Sequence, residues 1–247
     1  MHLKQTILTL ENILRTYVMS DIHGDFQSFY KMLVKINFSS YDELFILGDI
    51  VDKGKENLCL LDFIWKSENI YLLKGNHEYL FERYLQGIVT AEIWDACGGT
   101  ATRQEVDRLS ADKKADILMF LKGLPIYRNI TIKDKSYFLT HSGYHADFEI
   151  IDPKTGLVDI QKSVDSAVAW DQEQYLFSDD IHYIPQKIKF DKRIIVGHYA
   201  TLFLTEYGQA NIYYGERYID IDTGNERRNR GGRLACLRLN DGKEYYV

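Results

Sequence analysis

Proline is scarce in this chain, three residues in 247, and no Gly/Ser-rich tract stands in for it as a linker. Cysteine is equally rare: Cys59, Cys97 and Cys236 are an odd, scattered trio. That excludes a disulfide scaffold and a thiolate metal cluster, and points to a reduced, cytoplasmic setting. No segment approaches the roughly 20 apolar residues that span a bilayer, so no membrane partner is expected. The stretch from Met1 to Arg15 holds Lys4, Glu11 and Asn12, which leaves no apolar run long enough for a signal peptide. Positive charge is not in excess either: 30 basic against 36 acidic residues argue against a nucleic-acid coat. With 45% hydrophobic residues and no repeat or low-complexity break, residues 1–247 are expected to form one domain around a large core.

What is present is a set of short apolar runs, each ending in a cluster of chemically capable residues. Tyr17-Val18-Met19 leads to Asp21-Ile22-His23-Gly24-Asp25, and Leu44-Phe45-Ile46-Leu47 leads to Gly48-Asp49-Ile50-Val51-Asp52-Lys53-Gly54. Ile70-Tyr71-Leu72-Leu73 leads to Gly75-Asn76-His77-Glu78. Tyr137-Phe138-Leu139 precedes Thr140-His141-Ser142-Gly143, and Ile194-Ile195-Val196 precedes Gly197-His198. Such runs read as buried strands, and in an open α/β sheet ligands gather beyond the carboxyl ends of the strands.

Between these runs the period lengthens. Phe26 to Ile36 reads as a helix with Phe26, Phe29, Tyr30, Leu33 and Val34 on one face; Asn57 to Trp65 and His77 to Leu85 read similarly. Residues 91–122 look helical, broken at Gly98-Gly99. After Gly123-Leu124-Pro125, strands are expected near Ile126–Ile130 and Tyr137–Leu139, then near Leu202–Thr205, Asn211–Tyr214, Tyr218–Ile221 and Leu234–Leu239. An order of βαβα followed mostly by β predicts two packed mixed sheets with helices outside.

Asp21 and His23 are two apart, so an extended backbone points both to one face, where they can chelate an ion. Asp49 has two carboxylate oxygens and can bridge two ions, and Asn76, His141 and His198 would complete the ligand shell of the second ion. Oxygen and imidazole donors without thiolate suit manganese foremost, with iron or zinc also tolerated. Two divalent metal ions about 3.5–4 Å apart attract a phosphate dianion, acidify bound water and clamp an in-line displacement. His77 follows Asn76 and is read as the general acid for the leaving alkoxide, a role contributing roughly 10²–10⁴-fold. Asp52 could accept a hydrogen bond from it and hold its tautomer.

Each fragment alone has a plain structural explanation, as a turn, a capped helix start or a core histidine. Their number decides: His23, His77, His141 and His198, four of seven histidines, all fall at predicted strand ends, as do Asp21 and Asp49.

Asp-x-His-Gly, Gly-Asp-x-x-Asp-Lys-Gly and Gly-Asn-His-Glu, followed by two Gly-flanked histidines, resemble the calcineurin-like metallophosphoesterase superfamily. Within it the chain is similar to the bacterial and phage members of the phosphoprotein phosphatase family of serine/threonine phosphatases. Ile221-Asp222-Thr223-Gly224 and Gly231 to Leu237 resemble the closing strands, so the likeness runs from Tyr17 to about Leu239. It implies an α/β fold, a four-layer sandwich of two mixed β-sheets flanked by helices, with a dinuclear centre. One metal would be held by Asp21, His23 and Asp49, the other by Asp49, Asn76, His141 and His198, with His77 as acid and Asp52 as its partner. A phosphorylated protein or a small phosphoester is the implied substrate. Symmetrical diadenosine tetraphosphate hydrolases of the same superfamily supply an alternative, and a phospho-ligand binder without turnover a second one.

Two departures bear on substrate. Lys53 stands where these phosphatases usually carry an arginine that grips phosphate, and lysine lacks the bidentate fork. Trp170-Asp171-Gln172 places a neutral amide where a second arginine would fall. Arg227, Arg228 or Arg230, between two late strands, could replace the missing guanidinium, with Lys74 a weaker candidate; a solvated basic hairpin is the competing reading. His145 and His182 read as exposed loop residues, Trp94 and Gly98-Gly99 as packing, and Cys97 as unreactive.

Overall fold

The computed structural model describes residues 14–185, 187–204 and 208–247. The reading of the first segment therefore falls, for residues 1–13, outside the described residues. The first half alternates strand and helix: β1 (Thr16–Met19), α1 (Phe26–Lys35), β2 (Glu43–Ile46), α2 (Asn57–Trp65), β3 (Ile70–Leu72) and α3 (Asn76–Leu85). Three helices follow, α4 (Ala91–Ala96), α5 (Thr100–Val106) and α6 (Ala111–Lys122), then β4 (Tyr127–Ile132) and β5 (Lys135–Thr140). The remainder contains α7 (Ile160–Trp170), α8 (Gln172–Leu176), β6 (Arg193–Val196), β7 (Tyr213–Tyr214), β8 (Tyr218–Asp220), β9 (Ala235–Arg238) and β10 (Lys243–Tyr246).

The strands form two mixed sheets of five, ordered β10-β9-β1-β2-β3 and β4-β5-β6-β8-β7. In the first, β1, β2 and β3 are parallel, because α1 and α2 carry the chain back between them, while β9 and β10 add antiparallel. In the second, β5, β6 and β8 are parallel, and β4 and β7 are antiparallel edges. The near-continuous hydrophobicity of β1, β2 and β6 follows from burial on both faces. Val18, Phe45, Leu47, Leu73 and Leu237 of the first sheet meet Leu139, Ile195 and Ile219 of the second between the sheets. On the outer face of the first sheet, Tyr17, Met19 and Ile46 pack on Phe29, Leu60 and Phe81 of the helices. Phe138, Ile194 and Val196 do the same with Val164, Tyr175 and Leu176 beneath the second. Three apolar interfaces thus hold four layers, each fully buried large side chain contributing about 1.5–3 kcal/mol.

Several expectations shift here. The core face of α1 is Phe29, Met32 and Leu33, whereas Tyr30 and Val34 are exposed; Phe26 and Tyr30 stack on each other instead, ring centroids 6.2 Å apart. The expected strand at Leu202–Thr205 is a 3-10 turn at Thr201–Phe203, with Thr205 outside the described residues. The Thr201 N–H donates to the Asp222 carbonyl at 2.8 Å, which ties this turn to the segment after β8. Helices α7 and α8 fill a stretch for which no helix is predicted; α7 is capped by the Asp159 side chain, which accepts from the Lys162 N–H at 3.1 Å.

Candidate metal centre

The parallel strands of both sheets end at one place. Asp21, Asp49 and Asn76 follow β1, β2 and β3, and His141, His198 and Asp222 follow β5, β6 and β8. The backbone there is strained: Asp21, His23, Asp49, Asp52, Lys53 and His198 all have φ between 50° and 75°. A left-handed non-glycine residue costs of order 1 kcal/mol, and among the described residues only Asn37 and Lys133 share it elsewhere.

Asp49 is the hub. Its Oδ2 lies 3.8 Å from His23 Nε2 and 3.7 Å from His77 Nε2, and its Oδ1 lies 3.4 Å from His141 Nε2. Asn76 Oδ1 is 2.8 Å from His141 Nε2 and 3.1 Å from His198 Nδ1. Asp21 Oδ1 stands 3.9 Å from His23 Nε2, while its Oδ2 accepts from Ser20 Oγ at 2.5 Å and the His198 N–H at 3.0 Å.

Hydrogen bonding behind the imidazoles tests whether this set suits a metal. A carbonyl can only accept, so His23 Nδ1 donates to Val51 O at 2.9 Å and His141 Nδ1 donates to Leu47 O at 2.8 Å. Each neutral ring then turns an Nε2 lone pair inward. His141 Nε2 lies 2.8 Å from Asn76 Oδ1, 3.1 Å from His198 Nδ1 and 3.4 Å from Asp49 Oδ1, a cluster of acceptors that favours a cation between them. Burial pushes the Asp49 carboxyl well above the usual carboxylate range; His141 opposes that rise and Asp21 and Glu78 add to it. Burial pushes His23 well down, with Lys53 and His77 reinforcing it, and burial does the same to His198 beside His141. A divalent cation offsets the buried carboxylate and takes the imidazole lone pairs, so the residues fit one.

His77 differs from the other histidines in its partner. Its Nδ1 donates to a carboxylate, Asp52 Oδ2 at 2.7 Å, leaving Nε2 toward Asp49. Asp52 has two further donors that motif reading missed. Trp94 Nε1 reaches Oδ2 at 2.8 Å and Thr102 Oγ1 reaches Oδ1 at 2.5 Å, so Trp94 is more than packing. Glu78 was also overlooked: its carboxylate accepts from the Gly75, Asp49 and Ile50 N–H groups at 2.9, 2.7 and 2.9 Å. That stitches the second motif to the third, and a Glu three residues into a helix is the signal that could reveal it.

Lys53 Nζ lies 3.0 Å from His23 Nε2, at one end of a cleft of about 440 Å³ lined also by Asp25, Lys55, Glu226 and Arg228. The stretch Asn225–Arg230 is a 3-10 turn and not a hairpin. Arg228 is bound to Asp25 Oδ2 (3.1 Å) and Ser28 Oγ (2.7 Å), Arg227 lies over the Phe203 ring, and Arg230 is exposed. Lys74 is withdrawn from the cleft by a buried ion pair with Glu82 at 2.7 Å. His145 and His182 are not exposed loop residues. His145 is buried against Phe148. His182 Nδ1 bonds Tyr218 OH at 2.9 Å, Nε2 stands 3.8 Å from buried Asp220, and burial pushes the ring down to about 4. Gln172 begins α8 behind the cap Asp171. Burial pushes the Cys97 thiol up, which keeps it from acting as a nucleophile.

A larger cavity, about 710 Å³, opens near Lys133, Tyr137, Arg193 and Leu239. It lies at the opposite ends of β5 and β6, away from every converging donor described above.

Comparison with known proteins agrees with this geometry. The calcineurin-like phosphoesterase family profile matches residues 14–229. Serine/threonine-protein phosphatase 2 of Salmonella typhimurium is 30% identical over 216 residues, 84% of this chain and 86% of the relative. The symmetrical bis(5'-nucleosyl)-tetraphosphatase of Haemophilus ducreyi is 29% identical over 137 residues, 55% of this chain. That match spans about half of the relative's length, 47%. Among solved structures, an inferred diadenosine tetraphosphatase superposes with TM-score 0.60 at 16% identity, covering 94% of this chain and 92% of that one. A cold-active protein-tyrosine phosphatase of Shewanella gives 0.55 at 19% identity, covering 95% and 80%; at such identities the likeness is one of fold. Two five-stranded sheets meeting at a ring of carboxylates and imidazoles, and a profile match over most of the sequence, place the chain in the calcineurin-like phosphoesterase family.

Proposed function

We propose that the chain is a metal-dependent phosphatase hydrolysing phosphomonoesters, of the serine/threonine protein phosphatase type. The observation that carries the reading is the convergence on Asp49 of acceptor atoms from both sheets, with His77 held against the same carboxylate by Asp52. Two divalent cations, one held by Asp21, His23 and Asp49 and one by Asp49, Asn76, His141 and His198, would supply Lewis-acid charge and an acidified water. Manganese fits these donors, as do iron and zinc.

The chain's own residues do the rest. Lys53 faces the cleft and attracts the phosphate dianion. His77 presents Nε2–H, and its proton passes to the leaving oxygen as the bond from that oxygen to phosphorus breaks. The water oxygen forms the new bond to phosphorus and gives up one proton, which restores the His77 Nε2–H, so the products are an alcohol and inorganic phosphate. Asp52 keeps Nδ1 engaged throughout, so the ring delivers its proton from a fixed position. Arg228 is committed to Asp25 and shapes the wall, and Arg227 and Arg230 flank it in the chain without lining the cleft. Three free cysteines support a reduced, cytoplasmic setting.

Hydrolysis of dinucleoside polyphosphates is the second reading, supported by the Haemophilus relative; the longer Salmonella match supports the first. A manganese-supplemented assay on p-nitrophenyl phosphate, phosphoserine and phosphotyrosine peptides and diadenosine tetraphosphate separates them, with His77→Asn as control. Turnover of a monoester, with a loss of about 10²–10⁴-fold in the variant, is the expected result. Cleavage of the dinucleotide alone would transfer the chain to the second reading. Metal binding with no turnover of any substrate would make it a phospho-ligand binder. Lys53→Ala should raise KM about tenfold with a smaller change in kcat.

A further inference from the structure

We propose that Trp94 and Thr102 are positioning residues for His77, and that the Gly98-Gly99 corner between α4 and α5 couples them to Lys53. The inference rests on reading His77 as the proton donor. Asp52 is fully buried, and its carboxylate is gripped by three donors from three different helices. His77 Nδ1 of α3 and Trp94 Nε1 of α4 share Oδ2 at 2.7 and 2.8 Å, and Thr102 Oγ1 of α5 holds Oδ1 at 2.5 Å. The Thr102 hydroxyl also accepts the Asp52 N–H at 3.0 Å, which commits its proton to the carboxylate. One donor would leave the carboxylate plane free to turn about its side-chain bonds; three fix it, and with it the direction of the imidazole.

The corner explains why the arrangement holds. A side chain at Gly99 would overlap the Trp94 indole, and one at Gly98, where φ is 96°, would press on Lys53 Cγ at 2.9 Å. The Lys53 N–H donates to the Gly98 carbonyl at 2.9 Å. The same turn therefore sets the indole against Asp52 and aims the adjacent lysine at the cleft.

The functional signature lies in the leaving group. An alkoxide must receive the His77 Nε2 proton as its bond to phosphorus breaks, whereas p-nitrophenolate leaves with little help. Trp94→Phe removes the N–H and keeps an aromatic ring; Thr102→Val keeps the shape and removes the hydroxyl. In the metal-loaded full chain, each should lower the ratio of kcat for glycerol 2-phosphate to kcat for p-nitrophenyl phosphate about tenfold. KM and bound metal should stay within twofold of the parent, and Trp65→Phe, at a surface tryptophan, should leave the ratio unchanged. In ¹H–¹⁵N spectra the Trp94 indole N–H should shift on Asp52→Asn. A parental ratio in both variants, with His77→Asn still losing it, would overturn the positioning role alone. A parental ratio in His77→Asn as well would overturn the proton-donor reading beneath it. An unmoved indole resonance would count against the bond itself. If Trp94→Phe fails to fold, Thr102→Val carries the kinetic comparison.

Discussion

Asp42 shows how much one buried carboxylate can organise. It accepts from Arg15 Nε at 2.7 Å and Arg15 Nη2 at 2.6 Å as a fork, and from the Ser39 N–H and hydroxyl at 2.8 and 2.9 Å. Burial would raise its pKa, but the Arg15 and Ser39 hydrogen bonds outweigh that and leave it below the usual range. A folded value below the unfolded one means stability present above about pH 4 and lost as pH falls through the folded value. Asp42→Asn should therefore cost about 2 kcal/mol at pH 7 and progressively less as the pH is lowered below 4, read by urea unfolding at several pH values. Legibility at this scale depends on sequence distance. Asp21, His23, Asp49, Asn76, His77, His141 and His198 announce themselves because each follows an apolar run, and they do converge. The Trp94–Asp52 and Thr102–Asp52 bonds join residues 42 and 50 positions apart, and no local pattern marks such partners.

Helix α1 shows the same division one level up. Its existence follows from periodicity, but the apolar residues support two overlapping stripes, and the choice between them is made by the sheet beneath. Phe29, Met32 and Leu33 meet that sheet, while half-buried Phe26 packs at the edge of the core and exposed Tyr30 stacks on it. Its start is set by Asp25, whose Oδ1 accepts from the Ser28 N–H at 3.0 Å and whose Oδ2 takes Arg228 at 3.1 Å. Asp25→Ala should cost about 1–2 kcal/mol by thermal or urea unfolding, and Asp25→Ser should recover most of the cap but not the Arg228 tie. Helix α7 does carry a helical stripe, Ile160, Val164 and Ala167 behind the Asp159 cap, but it lies far from any motif, whereas α8 is too short to show a period.

For the whole molecule, the decisive feature is the seam between the sheets. The two-sheet plan was legible from the order of runs, but the strand order was not, since β9 and β10 pair beside β1 across the full length of the chain. Buried carboxylates gathered at the seam oppose folding in the absence of a cation. Asp49 is raised by burial, so the stability associated with its protonated form is present below its unfolded pKa and lost as pH rises through its folded one. At neutral pH, metal-free Asp49→Asn should melt no lower than the metal-free parent. Manganese at about 100 times Kd should stabilise the parent by about 2.7 kcal/mol, or 5 °C or more, and should leave the variant almost unchanged; differential scanning calorimetry reads both.

The pairing of β9 with β1 also governs timing. Every residue of the donor set, from Asp21 to His198, precedes Ala235 in the chain, yet Ala235 and Leu237 fill the space between the sheets behind it. A growing polypeptide on the ribosome therefore possesses all its donors while one flank of β1 still lacks its neighbour. A nascent chain that stops short of β9 should therefore carry the whole donor set on an incomplete scaffold, with the space behind the seam still open.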